Sequence, residues 1–195
     1  MASKPKQRFT PQEYLAMERE AEYKSEYFDG EIFAMVGASE EHNIIVVNIV
    51  TQLNIQLRER PCKVYSSDMR VDVRERGLYA YPDVVALCDE AKFRDDEDDE
   101  MDNLLNPTVI IEVLSKSTEG YDRGGKFTRY RRIESLVEYL LVAQDKPHIE
   151  HYIRQSGNEW LLTEAISLDD SIYLPSIECH LKLAEVYNKV EIGKQ

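Results

Sequence analysis

The sequence predicts an α+β or mixed α/β fold, a mixed β-sheet flanked by helices. Three observations carry that expectation. Helical patterns open the chain and interrupt it, instead of alternating regularly with strands. Most strand-like runs are short and close to turn residues, as hairpins require. At the centre, Asn106-Pro107-Thr108-Val109-Ile110-Ile111-Glu112-Val113-Leu114-Ser115 is an apolar, β-branched run, the pattern of a buried strand. At 195 residues the chain, 1–195, suits one domain with a proper core, and no linker, repeat or low-complexity stretch divides it.

Each element has its own warrant. Thr10-Pro11-Gln12-Glu13 starts a helix that runs to about Glu20, with Thr10 as N-cap, proline at the first position and Glu13 closing a capping box. Tyr23 to Phe28 and Glu31 to Met35 form a hairpin, because Asp29-Gly30 is a favoured pair for a tight type I′ turn. Ser39 caps the longest helix, with Glu40 and Glu41 at the positive end of its dipole. Val46, Ile49, Val50, Leu53 and Leu57 form its buried stripe, and Pro61 stops it. Lys63 to Ser66 and Met69 to Val73 are strands, the second with clean alternation. Gly77 turns the chain into a strand that contains Asp83 and ends near Leu87. A helix is expected from about Gly124 to Glu134, then strands at Val137 to Val142, His148 to Arg154 and Glu159 to Glu164. Leu183 to Tyr187 closes the chain as a short helix.

Composition excludes some classes. Hydrophobic content of 43% and charged content of 31% are ordinary for a soluble globular protein. No apolar run approaches the roughly 20 residues that span a bilayer. The basic start lacks the apolar segment of a secretory signal. Cys62, Cys88 and Cys179 contain no CxxC pair, so reduced thiols in a cytoplasmic protein are expected. The net charge of −13 opposes long-range attraction to nucleic acid. Much of that excess is one run, Asp95, Asp96, Glu97, Asp98, Asp99, Glu100 and Asp102, expected to be a solvated loop. Near the strand at the centre the balance reverses, with Arg123, Lys126, Arg129, Arg131 and Arg132.

Glu112 in its apolar run and Asp83 beside Val84-Val85-Ala86-Leu87 need a partner, since carboxylates are seldom buried unpaired. Opposite residues on neighbouring strands stand about 5 Å apart, a separation that suits two acids gripping one Mg²⁺. A nearby lysine would add the charge that steadies a phosphoryl oxygen. Lys126 is the first candidate, because Asp122, Lys126 and Tyr130 are spaced to line one helix face; Lys116 is the second. Strand-end acids that merely pair with arginines are the plain alternative. His42 is expected as a structural or first-turn group before a ligand, Glu31 and Glu41 as further oxygen donors, and Trp160 as core.

Taken together, Pro82-Asp83, Glu112-Val113-Leu114-Ser115, and Asp122 with Lys126 and Tyr130 resemble the Uma-two family of restriction-endonuclease-like proteins. So do Phe28-Asp29-Gly30-Glu31-Ile32, Met35, Ala38-Ser39 with His42, and Glu138-Tyr139-Leu140-Leu141-Val142. The resemblance runs from about Tyr14 to Tyr152. It implies the restriction-endonuclease-like PD-(D/E)xK fold, with an N-terminal helix and hairpin at 10–36, a nuclease core at 39–165 and a C-terminal extension at 166–195. It also implies an endonuclease that is Mg²⁺-dependent, with Mn²⁺ as a substitute, acts on DNA and forms a homodimer. One departure stands out: Leu114 occupies the usual lysine position, so in this family the lysine looks to have moved to the following helix, here Lys126. The rival expectations are a catalytically silent module of the same fold that binds nucleic acid or protein, and a metal-dependent hydrolase of small phosphoesters.

Overall fold

The computed structural model describes residues 7–73, 77–94, 103–116 and 118–193. The acidic run at 95–102 lies outside them. Local signals near the start are realised closely. Helix α1 (Pro11–Glu20) has Thr10 as N-cap and a complete capping box with Glu13. Strands β1 (Ser25–Phe28) and β2 (Glu31–Ala34) pair around Asp29 and Gly30. Both turn residues have positive φ, 43° and 88°, as a type I′ turn requires.

Helix α2 (Glu40–Leu57) is capped by the Ser39 side chain, which accepts from the His42 N–H. Its buried stripe is Ile45, Ile49, Leu53 and Leu57, so Ile45 takes the place expected for Val46 and Val50, which lie at the edge of the core. The helix ends before Pro61, through a turn in which the Arg60 N–H donates to the Leu57 carbonyl.

The remaining strands are β3 (Lys63–Ser66), β4 (Arg70–Val73), β5 (Leu78–Ala80), β6 (Val84–Leu87), β7 (Asn103–Leu104), β8 (Val109–Leu114), β9 (Glu138–Ala143), β10 (Ile149–Arg154), β11 (Trp160–Ala165), β12 (Ser171–Leu174) and β13 (Cys179–Lys182). They form two larger sheets and a hairpin. One sheet has the order β2-β1-β5-β4-β7, the other β11-β10-β9-β8-β6-β3, and β12 pairs with β13. In the larger sheet only β8 and β9 run parallel. The architecture is α+β, with mixed sheets flanked by helices.

One expected strand is two in the structure. Residues 78–87 are two strands in different sheets, and Tyr81-Pro82-Asp83 carries the chain across. Alternation in β4 also fails, since all four residues are buried. Its polar members have partners inside: Arg70 donates to the Asn103 side chain, and Arg94 pairs with Asp72 at 3.0 Å.

Strand β8 is buried throughout because both of its faces are covered. Val109, Ile111 and Val113 pack with α2 and the C-terminal segment, whereas Ile110 and Leu114 meet the five-stranded sheet. Glu112 therefore points to the second face, between the sheets.

Two further expectations are corrected. The stretch after β8 is a π-helical turn (Tyr121–Lys126) followed by a four-residue α3 (Phe127–Tyr130), not a helix from Gly124 to Glu134. The cysteines are not all reduced: Cys62 and Cys88 form a disulfide, and Cys179 is free and buried. Strands β3 and β6 pair Lys63 with Leu87, and one more step of that register sets Cys62 opposite Cys88. The sequence separation of 26 residues hides a contact that only the strand pairing creates. The chain ends in α4 (Leu183–Val186), and no helix of the described residues is long and apolar enough to cross a membrane.

Candidate active site

Strands β6 and β8 run antiparallel with Val84 opposite Ile111, so the next step sets Asp83 opposite Glu112. Both residues line the same cavity. Asp83 is fixed twice: its Oδ2 accepts from the Val113 N–H at 2.7 Å and lies 3.2 Å from His42 Nε2. Glu112 is held by the Tyr130 hydroxyl, which donates to Oε1 at 3.2 Å.

Lys126 enters from the π turn and gathers the acids. Its Nζ lies 3.2 Å from Glu112 Oε1, 3.0 Å from Glu26 Oε1 and 3.5 Å from Asp122 Oδ1. All four of these residues are buried. The turn is wound so that Asp122 and Lys126 face inward together, and the Tyr139 hydroxyl donates to the Asp122 carbonyl at 3.0 Å. Such i→i+5 turns recur at functional sites.

The electrostatics follow from this crowding. Burial pushes the Glu112 carboxyl well above its ordinary range; the Lys126 charge opposes this, while Asp122, Asp83 and Glu26 add to it. Burial alone would lower Lys126, but Glu112, Glu26 and Asp122 outweigh it and hold the ammonium well above its usual range. His42 behaves likewise: burial lowers it, and the hydrogen bond and charge of Asp83 more than reverse that. Burial also pushes the Tyr121 phenol up to about 12, so at neutral pH it is a proton donor. These groups line one cavity of about 1130 Å³, whose other wall is the β1–β2 hairpin and the Ser39 end of α2.

The residues present fit a divalent cation. The donors are hard oxygens, acids outnumber the one buried lysine, and Asp122 Oδ1 is buried without a hydrogen bond. The carboxylates surround Lys126 and form no tight trio with one another. Among the described residues the only three such ligand atoms mutually within 4.8 Å belong to His148, Glu150 and Glu164 on the β10–β11 hairpin. Mg²⁺ needs only one or two carboxylates when substrate phosphate and water complete its shell, and Asp83 and Glu112 are the residues that would hold it.

Comparison with known proteins gives the family and the fold. Residues 11–184 match the Uma2 family, described as "Putative restriction endonuclease". The chain belongs to the Uma2 family. An "Uncharacterized protein sll1609" of Synechocystis sp. is 41% identical over 155 residues, covering 80% of this chain and 86% of that one. A second Synechocystis protein, "Uncharacterized protein slr1290", is 35% identical over 185 residues, covering 95% and 94%. A crystal structure of "a putative nuclease belonging to DUF820" from Anabaena variabilis superposes with a TM-score of 0.74 at 19% identity, covering 92% of this chain and 97% of that one. The fold of this Uma2 chain is thus that of a restriction-endonuclease-like protein.

Among the residues singled out from sequence, Asp83, Glu112, Lys126, Asp122, Tyr130 and His42 are brought together. Lys116 is not; it is exposed in the turn after β8. Glu31 lines the cavity wall, whereas the Glu41 carboxylate is drawn to its own backbone N–H and to Ser39 at the helix start. Trp160 packs edge-on against Phe127 at 5.2 Å, with Arg154 over its ring at 4.5 Å. Glu26 was missed. The signal for it was a hairpin register that sets an acid opposite Phe33, on the same strand face as Phe28.

Proposed function

We propose that this Uma2 protein is a divalent-metal-dependent endonuclease that hydrolyses phosphodiester bonds in DNA. The observation that carries this is the convergence of Glu26, Glu112 and Asp122 on Lys126, with Asp83 in the same lining, at the floor of an open cavity. A structural ion pair would need one acid for its lysine; here several buried acids face one cation. Asp83 and Glu112 would hold Mg²⁺ or Mn²⁺, which supplies charge neutralisation at the phosphate.

The chain's own groups have distinct tasks. Lys126 Nζ, kept protonated by its three acids, donates to the attacking water or a phosphoryl oxygen and stabilises charge as it develops there. Glu26 Oε1, within reach of the same Nζ, fixes the direction of that donor. Tyr130 and His42 hold Glu112 and Asp83 in place, so orientation costs nothing when substrate arrives. The Tyr121 hydroxyl, protonated at neutral pH, adds a donor to the wall.

Incubating supercoiled plasmid with the protein and Mg²⁺ or Mn²⁺ tests this. Nicked or linear product is expected with the cation, none in EDTA, and none with Asp83→Asn. A parent protein that leaves DNA intact while hydrolysing small phosphoesters would move the assignment to the rival hydrolase.

A further inference from the structure

Beside the catalytic cavity lies a second one of about 800 Å³, and the two share Arg8, Phe28 and Asp29 as a common wall. Its other cations are Arg129 and Arg132. In a chain of net charge −13, three arginines along one groove are a local reversal of sign.

These arginines are not absorbed by acids. The Arg129 guanidinium lies over the Phe28 ring, 3.3 Å from its centroid, and donates to the Gly125 carbonyl. Its Nε is buried without a hydrogen bond. Among the described residues neither Arg129 nor Arg132 has a carboxylate partner. Arg8 touches Asp29 only loosely, at 3.7 Å with both side chains about two-thirds exposed. By contrast Arg123 is tied to Glu119 and Glu150.

Placement is fixed by the hairpin. The Phe9 N–H donates to the Gly30 carbonyl at 2.8 Å, and a Cβ on Gly30 would stand only 3.2 Å from the Arg8 Cβ. Glu26 and Phe28 are alternate residues on one face of β1, about 7 Å apart along the strand. Glu26 meets Lys126 and Phe28 carries Arg129.

We infer that this groove holds the phosphodiester backbone of the DNA substrate beside the scissile phosphate, with Arg129 and Arg132 each meeting a phosphate. The inference rests on the nuclease reading above and names the path that the substrate takes. Guanidinium groups suit it, since they present fixed, paired donors to phosphate oxygens. The Phe28 ring keeps Arg129 in place without neutralising it.

The test is equilibrium binding of a duplex oligonucleotide at several salt concentrations, with Ca²⁺ in place of Mg²⁺. Relative to the parent, Arg129→Ala with Arg132→Ala should bind more weakly. The slope of log K against log salt should become shallower by about two, close to one unit for each phosphate no longer neutralised. Turnover of bis(p-nitrophenyl) phosphate, too small to reach the groove, should keep its parental rate in Arg132→Glu. Arg132→Glu, at an exposed position, gives the same reading if the double variant folds poorly. An unchanged slope in these variants overturns the groove and leaves the nuclease reading intact. A parent that binds no duplex at any salt removes both. Loss of small-diester turnover in Arg132→Glu would mean that the arginine serves the fold, and also overturns the proposal.

Discussion

At the residue scale, the site is a set of acids kept buried by one lysine, and stability should report it. The folded Glu112 carboxyl sits well above its ordinary 4.5, so above that pH the folded chain binds more protons than the unfolded one. Stability of the metal-free protein should therefore fall as pH rises from about 4.5 towards the folded value. Glu112→Gln should remove that slope and raise the melting temperature at neutral pH, with no gain at pH 4; thermal unfolding in EDTA across pH checks both. Lys126→Met should do the opposite. It leaves Glu26, Glu112 and Asp122 without their cation, costing about 3–5 kcal/mol, and should slow single-turnover cleavage about 10²–10³-fold. Lys116→Ala, on the exposed turn, should leave the rate unchanged. Asp83 and Glu112 stood out in the sequence because charged groups next to apolar runs need partners, and Lys126 because its spacing from Asp122 and Tyr130 puts the three on one helix face. Glu26 was not: its partner lies far downstream, and in a short hairpin an acid looks like a solvent-facing residue.

At the element scale, the π turn that presents Lys126 depends on Gly125. A Cβ there would stand 2.6 Å from the Tyr121 ring, which lines the catalytic cavity. Gly125→Ala should destabilise the protein by about 1–3 kcal/mol and displace the lysine; denaturant unfolding and the cleavage rate should fall together. Elements written in local chemistry were the readable ones. Thr10 with Glu13 and Asp29 with Gly30 specify their cap and turn within a few residues. The π turn has no such signature, since the pattern of Asp122, Lys126 and Tyr130 is nearly the same for an ordinary helix. Strands β7, β12 and β13 were also silent, because strands of two to four residues are defined by what they pair with.

At the scale of the whole molecule, the sequence predicted mixed sheet and flanking helices but not the division into two sheets. That division is made at Tyr81-Pro82-Asp83, and it delivers Asp83 to Glu112 while β1 brings Glu26 from the other sheet. The Cys62–Cys88 disulfide ties edge strand β3 to β6, the strand that leads out of Asp83. Reduction, or Cys62→Ala with Cys88→Ala, should lower stability by about 3 kcal/mol for a loop of this length. Melting with and without reductant measures it. Asp83 and Glu112 are proposed to share a divalent ion, and calorimetric titration with Mn²⁺ or Mg²⁺ tests this most directly. The parent should show saturable binding. Asp83→Asn and Glu112→Gln should greatly weaken it while circular dichroism stays unchanged, and His148→Ala, at the separate cluster on β10 and β11, should have no effect. Unchanged affinity in both carboxylate variants, or a loss confined to His148→Ala, would contradict the claim.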